Sequence, residues 1–211
     1  VNDLLARVTP RLLAAVGLGV IALVLVVGGA WFWLSTQSER AQAVHADGLA
    51  QAYALRGGQA PVAARTAAMS ALEAAMAQAP GAPLAAQSAY ELGNLRFDLG
   101  QYAQARAAYE IARAKAESAT IRTLAHAGIA ATWESERNFG NAVTAYTEAL
   151  ANEEPGQFYY EDLLIGLGRS QELSGKRDDA IKTYQRLLKD VPKLRRESEI
   201  RGRLASLGVS S

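Results

Sequence analysis

Catalysis and metal binding fall to a few side-chain types, and this chain of 211 residues is poor in them. It has no cysteine, so it cannot build a disulfide framework, a thiolate nucleophile or a thiolate zinc site. Two histidines are present, His45 and His126. A general base or metal ligand needs partners close by, and neither histidine sits in a His/carboxylate cluster. His45 stands alone on the helix after the apolar run and is expected to be exposed. His126 falls on the inward face of a helix and is expected to be core packing. Glu153-Glu154 and Glu161-Asp162 place paired carboxylates around one loop, the residue type used in general acid–base work. No apolar pocket is visible to raise either carboxyl, so a solvated loop is the expectation. No Gly-rich loop follows a strand, because no strand pattern occurs. These residues point away from an enzyme, with no catalytic residue, metal, cofactor or small-molecule substrate expected.

Composition narrows the class further. Half of the residues are hydrophobic but only 7% are aromatic. Alanine and leucine supply much of the apolar share, which favours helices throughout. The formal net charge is +1, so the electrostatic footprint of a nucleic-acid binder is missing, and no nucleic-acid partner is expected. Charge is uneven along the chain: residues 134–162 are rich in acid and residues 176–203 in base.

One element must lie apart from the rest. From Leu12 to Leu34 the sequence reads "LLAAVGLGVIALVLVVGGAWFWL", without a charge. At about 1.5 Å per residue this spans a hydrocarbon core roughly 30 Å thick. Arg7 and Arg11 precede it, and Trp31, Phe32 and Trp33 close it as an interfacial belt. The positive-inside rule then puts the N-terminal tail in the cytoplasm and the rest of the chain outside. A cleaved signal peptide is the rival, with small residues at Gly28-Gly29-Ala30. The length of the run and the three aromatics favour an anchor. Ala15 and Gly19 form a small-xxx-small pair at which another membrane helix could approach, against ordinary Gly/Ala usage in a span.

Beyond the span the sequence repeats itself. "ELGNLRFDLGQYAQARAAYEIA" carries Gly93, Gly100, Tyr102, Ala105, Tyr109 and Ala112. "GIAATWESERNFGNAVTAYTEAL" carries Ala130, Phe139, Ala142, Tyr146 and Ala149 at the same offsets. "GLGRSQELSGKRDDAIKTYQRLL" carries Gly168, Gly175, Ala180, Tyr184 and Leu187. A fixed period of this kind marks a stacked array of helix pairs. Within each unit, apolar and small positions recur three and four apart, on one helix face. Small residues at Gly93, Ala130 and Gly168, and at Ala105, Ala142 and Ala180, let two helix axes approach. The tyrosines then fill the wedge against the next pair. The second unit has Arg137 where the others have glycine. A fainter unit precedes these, with Ala68, Leu72 and Ala75 in register and Pro80 ending the helix. Its first helix is expected at roughly 37–56.

The Leu-Gly/Ala pair, the Gly-x-Tyr turn and the following Ala, Tyr and Ala resemble the tetratricopeptide repeat over residues 86–192. The resemblance implies an all-α chain: one N-terminal transmembrane helix, then an α-solenoid of antiparallel helix pairs. The expected organisation is a cytoplasmic tail at 1–11, the span at 12–34, and a juxtamembrane helix with a degenerate first repeat at 35–82. Three repeats follow at 83–192, and a capping helix at 193–211. The inter-unit excess over the family's length falls in "SATI" and "NEEPGQF".

The same resemblance implies that a protein partner lies along the concave face made by the first helix of each pair. Carried over by position, that face holds Gln87, Tyr90, Asn94, Phe97, Asp98, Leu124, Glu134, Asp162 and Arg169. Asn94 matches an asparagine that some family members use to clamp a peptide carboxylate. Tyr90 and Ala131 stand where that clamp needs lysine and asparagine, so a mixed groove anchored by Tyr90 and Phe97 is expected instead. The plan of inner tail, single span and outward array resembles the YfgM-like family, whose members sit beside the bacterial Sec translocon. It implies a single-pass protein of the bacterial inner membrane with a periplasmic repeat domain. Such a protein is a scaffold for protein partners in or at the membrane, as a chaperone-like accessory of the translocon. The alternative is a structural or assembly subunit of another envelope complex, respiratory, photosynthetic, secretory or cytochrome-maturing.

Overall fold

A computed structural model describes residues 10–56, 60–151 and 153–209, with side chains from residue 17 onward. The tail expected at 1–11 therefore lies mostly outside the described residues, as does the side chain of Ala15. The chain divides into two compact units, Val1–Ala43 and Val44–Ser211.

In the first unit the described residues form one helix, α1, which runs on into the second and spans Pro10–Ala54. From Gly17 onward α1 is long and apolar enough to cross a membrane, with a mean hydropathy of 2.2 in its most apolar window. Leu18, Ile21, Val24, Leu25, Trp31 and Trp33 are all exposed. A helix that is apolar all round and unburied by its own chain needs apolar surroundings. The Ser35 hydroxyl donates to the Phe32 carbonyl at 2.9 Å, and the Thr36 hydroxyl shares that carbonyl. Bonded back to the preceding turn, the two hydroxyls leave the ladder uninterrupted.

In the second unit, the end of α1 is followed by α2 (Val62–Gln78), α3 (Ala85–Asp98), α4 (Tyr102–Lys115), α5 (Ala119–Ser135), α6 (Phe139–Leu150), α7 (Tyr160–Leu173), α8 (Arg177–Asp190) and α9 (Glu197–Ser206). The fold is an all-α solenoid. Consecutive helices pack as antiparallel neighbours, α3 with α4, α5 with α6 and α7 with α8. Successive first helices α3, α5 and α7 also touch, whereas among the described residues α4, α6 and α8 do not touch one another. The first helices thus form the inner row. Leu49 and Ala52 of α1 bury against Ala68, Met69 and Leu72 of α2 and Leu92 and Leu95 of α3, forming the leading pair. At the other end Ile200 and Leu204 of α9 close the core over Tyr184 and Leu187.

One turn joins each pair. After α3, the Gly100 N–H reaches the Phe97 carbonyl and the Gln101 N–H the Arg96 carbonyl, both at 2.9 Å. Arg137 and Asn138 repeat this after α5, and Gly175 and Lys176 after α7. This Schellman closure requires a left-handed residue. Gly100 and Gly175 supply it at φ 71° and 77°, and Arg137 adopts it at φ 60° without being glycine. The unit that lacks the glycine therefore keeps the turn. Of "SATI", Ser118 is the N-cap and the other three residues belong to α5, which starts at Ala119.

Candidate functional site

The inner row is built around three tyrosines. A Cβ placed on Gly93 would stand 2.5 Å from the Tyr109 ring, and one on Gly128 would stand 2.7 Å from it. Tyr109 of α4 is thus clasped between its own first helix and the next one. Tyr146 meets Gly166 of α7 in the same way, and Tyr184 meets Gly168. Gly93 and Gly168 belong to the sequence grid. Gly128 and Gly166 lie two residues before its Ala130 and Gly168 positions and were not singled out from the pattern.

A buried phenol needs a partner for its hydroxyl, and each wedge tyrosine has one on the inner face. Tyr109 donates to Asn94 Oδ1 at 2.8 Å, Tyr146 to Glu134 Oε2 at 3.1 Å and Tyr184 to Glu172 Oε2 at 3.1 Å. Each acceptor leads onward. Asn94 Nδ2 donates to Glu91 at 3.2 Å, and Glu91 pairs with Arg56. Arg169 binds Glu134 through two nitrogens, one of them at 2.7 Å. Arg203 of α9 reaches Glu172 at 3.2 Å. The result is a row of tyrosine–acceptor–arginine chains that ties each unit to a neighbour. Burial is the first cause raising the pKa of all three tyrosines, and the carboxylates Glu134 and Glu172 add to it at Tyr146 and Tyr184.

The inner row encloses two clefts. The first, of about 170 Å³, is lined by Tyr90, Asn94, Phe97 and Tyr109, by Leu124, Ala127, Gly128 and Ala131, and by Tyr159. The second, of about 240 Å³, is lined by Ala127, Ala131, Tyr146, Tyr159, Asp162, Ile165, Gly166, Arg169 and Arg196. They share Ala127, Ala131 and Tyr159. Tyr90, Asn94, Phe97 and Leu124 of the expected face therefore come together in one cleft, and Asp162 and Arg169 in its neighbour. Tyr90 lies 5.8 Å from the Tyr109 ring, and Phe97 meets Tyr102 edge-on at 5.4 Å.

The other expected residues do not line these clefts. Gln87 donates to the Tyr53 hydroxyl, Asp98 pairs with Arg65 of α2 at 3.0 Å, and Glu134 is committed to Tyr146 and Arg169. Gly19 of α1 has open space where a side chain would stand.

Tyr159 and Arg196 were not foreseen. Both come from inter-unit loops, and a motif confined to helices carries no register for them. The signal for Tyr159 was the aromatic run "FYY" at the end of an overlong loop.

The histidines and loop carboxylates also differ from expectation. His45 is fully buried, not exposed. The Ala79 carbonyl can only accept, so His45 Nε2–H donates to it at 3.0 Å, and Nδ1 accepts from the Ser88 hydroxyl at 2.8 Å. His45, Leu49 and Ala52 recur at i, i+4 and i+7, the stripe that turns one face of α1 inward. His126 is half-buried, not core; burial and then the Arg113 charge lower its pKa. Glu153 accepts from the Thr123 hydroxyl, and Glu161 and Asp162 sit in the first turn of α7, where the helix dipole favours acid. Among the described residues no group of three or more His, Cys, Asp and Glu side chains is placed to hold a metal ion.

Comparison with known proteins agrees with this geometry. Residues 162–193, the third pair, match the family model of the tetratricopeptide repeat. No curated protein matches the sequence. Among solved structures the chain is similar to the MamA protein, at 20% identity and a TM-score of 0.58, covering 76% of this chain and 78% of that one. It is also similar to the putative kinesin light chain of Podosopora anserina with nearly identical TPR-like repeats, at 15% identity and a TM-score of 0.59. That likeness covers 81% of this chain and 86% of the other. At these identities the likeness is one of fold, an α-solenoid of TPR-like helix pairs.

Proposed function

We propose that the protein is a membrane-anchored scaffold whose inner helix row holds a protein partner at the outer face of a bacterial inner membrane. The observation that carries this reading is the pair of adjoining clefts, with Tyr90, Phe97, Leu124 and Ile165 among their lining residues. Aromatic side chains bury large area at small rotamer cost, which makes such a surface suited to binding. Support for the anchor comes from the apolar stretch of α1 and from Arg7, Arg11 and the Trp31–Trp33 belt. An accessory role beside a protein-translocation channel, or within another envelope complex, is the finer reading. It rests on the plan of one span followed by an outward array.

The test separates groove from span. Tyr90→Ala and Leu124→Glu in the full-length protein should each weaken co-purification of the membrane partner at least about tenfold while the helical circular dichroism persists. Removal of residues 1–34 should weaken the association without abolishing it, because the anchor only raises effective concentration. Normal partner recovery with both groove variants, and its complete loss on removing the span, would assign docking to the membrane helix instead.

A further inference from the structure

We infer that Tyr159 is a built-in occupant of the inner groove, standing where an aromatic side chain of a protein partner docks. A partner segment enters by displacing it. This rests on the reading of the groove as a partner surface and adds how that surface is regulated.

Three observations converge on the residue. Tyr159 belongs to the nine-residue connection 151–159 between α6 and α7, whereas α4 and α5 are joined by 116–118. Among the described residues of that connection, Tyr159 alone lines the clefts, and it lines both. Tyr159 thus borders both spaces, together with Ala127 and Ala131. Next, its backbone is at φ 72°. For a bulky aromatic residue that is an outlier, and such a conformation persists where the surroundings hold it. The surroundings here are the groove walls: Tyr159 is half-buried and packs against the core that includes Ala127 and Ile165. Last, its neighbour Phe158 is 60% exposed, with the two rings 5.5 Å apart. The loop therefore presents one aromatic ring to the groove and holds a second in solvent beside it.

The groove's own chemistry fits an aromatic guest. Tyr90, Leu124 and Ala127 give an apolar bed, and Asn94 supplies a polar edge already bonded to Tyr109. An incoming segment with an aromatic side chain can replace the contacts of Tyr159 in kind and release its left-handed backbone. The free groove is then closed to weak apolar contacts and opens to a ligand that matches the plug. The affinity of wild type is reduced by the fraction of molecules in which Tyr159 is out.

The experiment supplies the plug in trans. Full-length wild type and Tyr159→Gly, in detergent micelles, are titrated with a synthetic peptide of residues Glu153–Tyr160. A control peptide carries Phe158→Ala, Tyr159→Ala and Tyr160→Ala together. The native peptide should bind Tyr159→Gly roughly tenfold or more tighter than wild type, and the control peptide should bind neither. Equal affinity for the two proteins, or no binding to Tyr159→Gly at millimolar peptide, would overturn the proposal. A second measurement guards against a purely structural role. Tyr159→Gly should lower the thermal midpoint far less than Leu163→Ala, a fully buried neighbour on α7. An equal loss would make Tyr159 a packing wedge and end the proposal. Loss of partner with Tyr90→Ala, together with equal peptide affinities here, would remove the plug and leave the groove standing.

Discussion

Tyr109, Tyr146 and Tyr184 do two things at once: the ring fills the space left by a glycine, and the hydroxyl is bonded on the inner face. Their protonation is therefore linked to stability. Each has a pKa raised above the ordinary value of 10.0, first because burial disfavours the phenolate. As pH rises past 10 the unfolded chain releases these protons before the folded one does. The unfolded state then binds fewer protons, so stability is full below pH 10 and falls above it. The thermal midpoint of the full-length protein should drop between about pH 10 and 12. The triple variant Tyr109→Phe, Tyr146→Phe, Tyr184→Phe should drop less over that range. Parallel curves for the two proteins would show that the phenols do not govern the alkaline loss.

At the scale of helices, the close approach of α3, α4 and α5 is set by what is missing at Gly93 and Gly128. Gly128→Ala pushes a methyl into the Tyr109 ring and should cost about 1–3 kcal/mol by overpacking. Gly140→Ala meets open space near the start of α6 and should raise stability by roughly 0.5–1 kcal/mol, because a helix disfavours glycine. Thermal melts of the two variants should move in opposite directions. The repeat register was legible because Gly93, Ala105, Tyr109 and their equivalents recur on a fixed grid. Gly128 was harder to see, since it makes the same contact from outside that grid. Which way α1 faces beyond residue 44 was not read from the sequence, because a histidine in that stripe reads as polar until Ser88 and Ala79 are brought to it. For Tyr159 the aromatic run was the one signal, and it gave no direction, because where a loop residue points depends on the helices on either side of it.

For the whole molecule, the proposed orientation of the repeat domain rests on the apolar run and on Arg7 and Arg11 before it. Protease added to inside-out inner-membrane vesicles should leave residues 38–211 intact, and protease added to spheroplasts should remove them. Digestion in the vesicles would reverse the topology. The array itself has a consequence for how it is made. Helix α5 rests on α3, α4, α6 and α7, and among the described residues no helix of the three pairs touches one more than two helices along the chain. Contacts this local close small loops, which favours rapid folding. Each pair can set against the one before it as the chain is delivered from its N-terminal side. A nascent array of this kind is never left waiting for a distant strand, and the apolar surface awaiting cover at any moment is the face of a single pair.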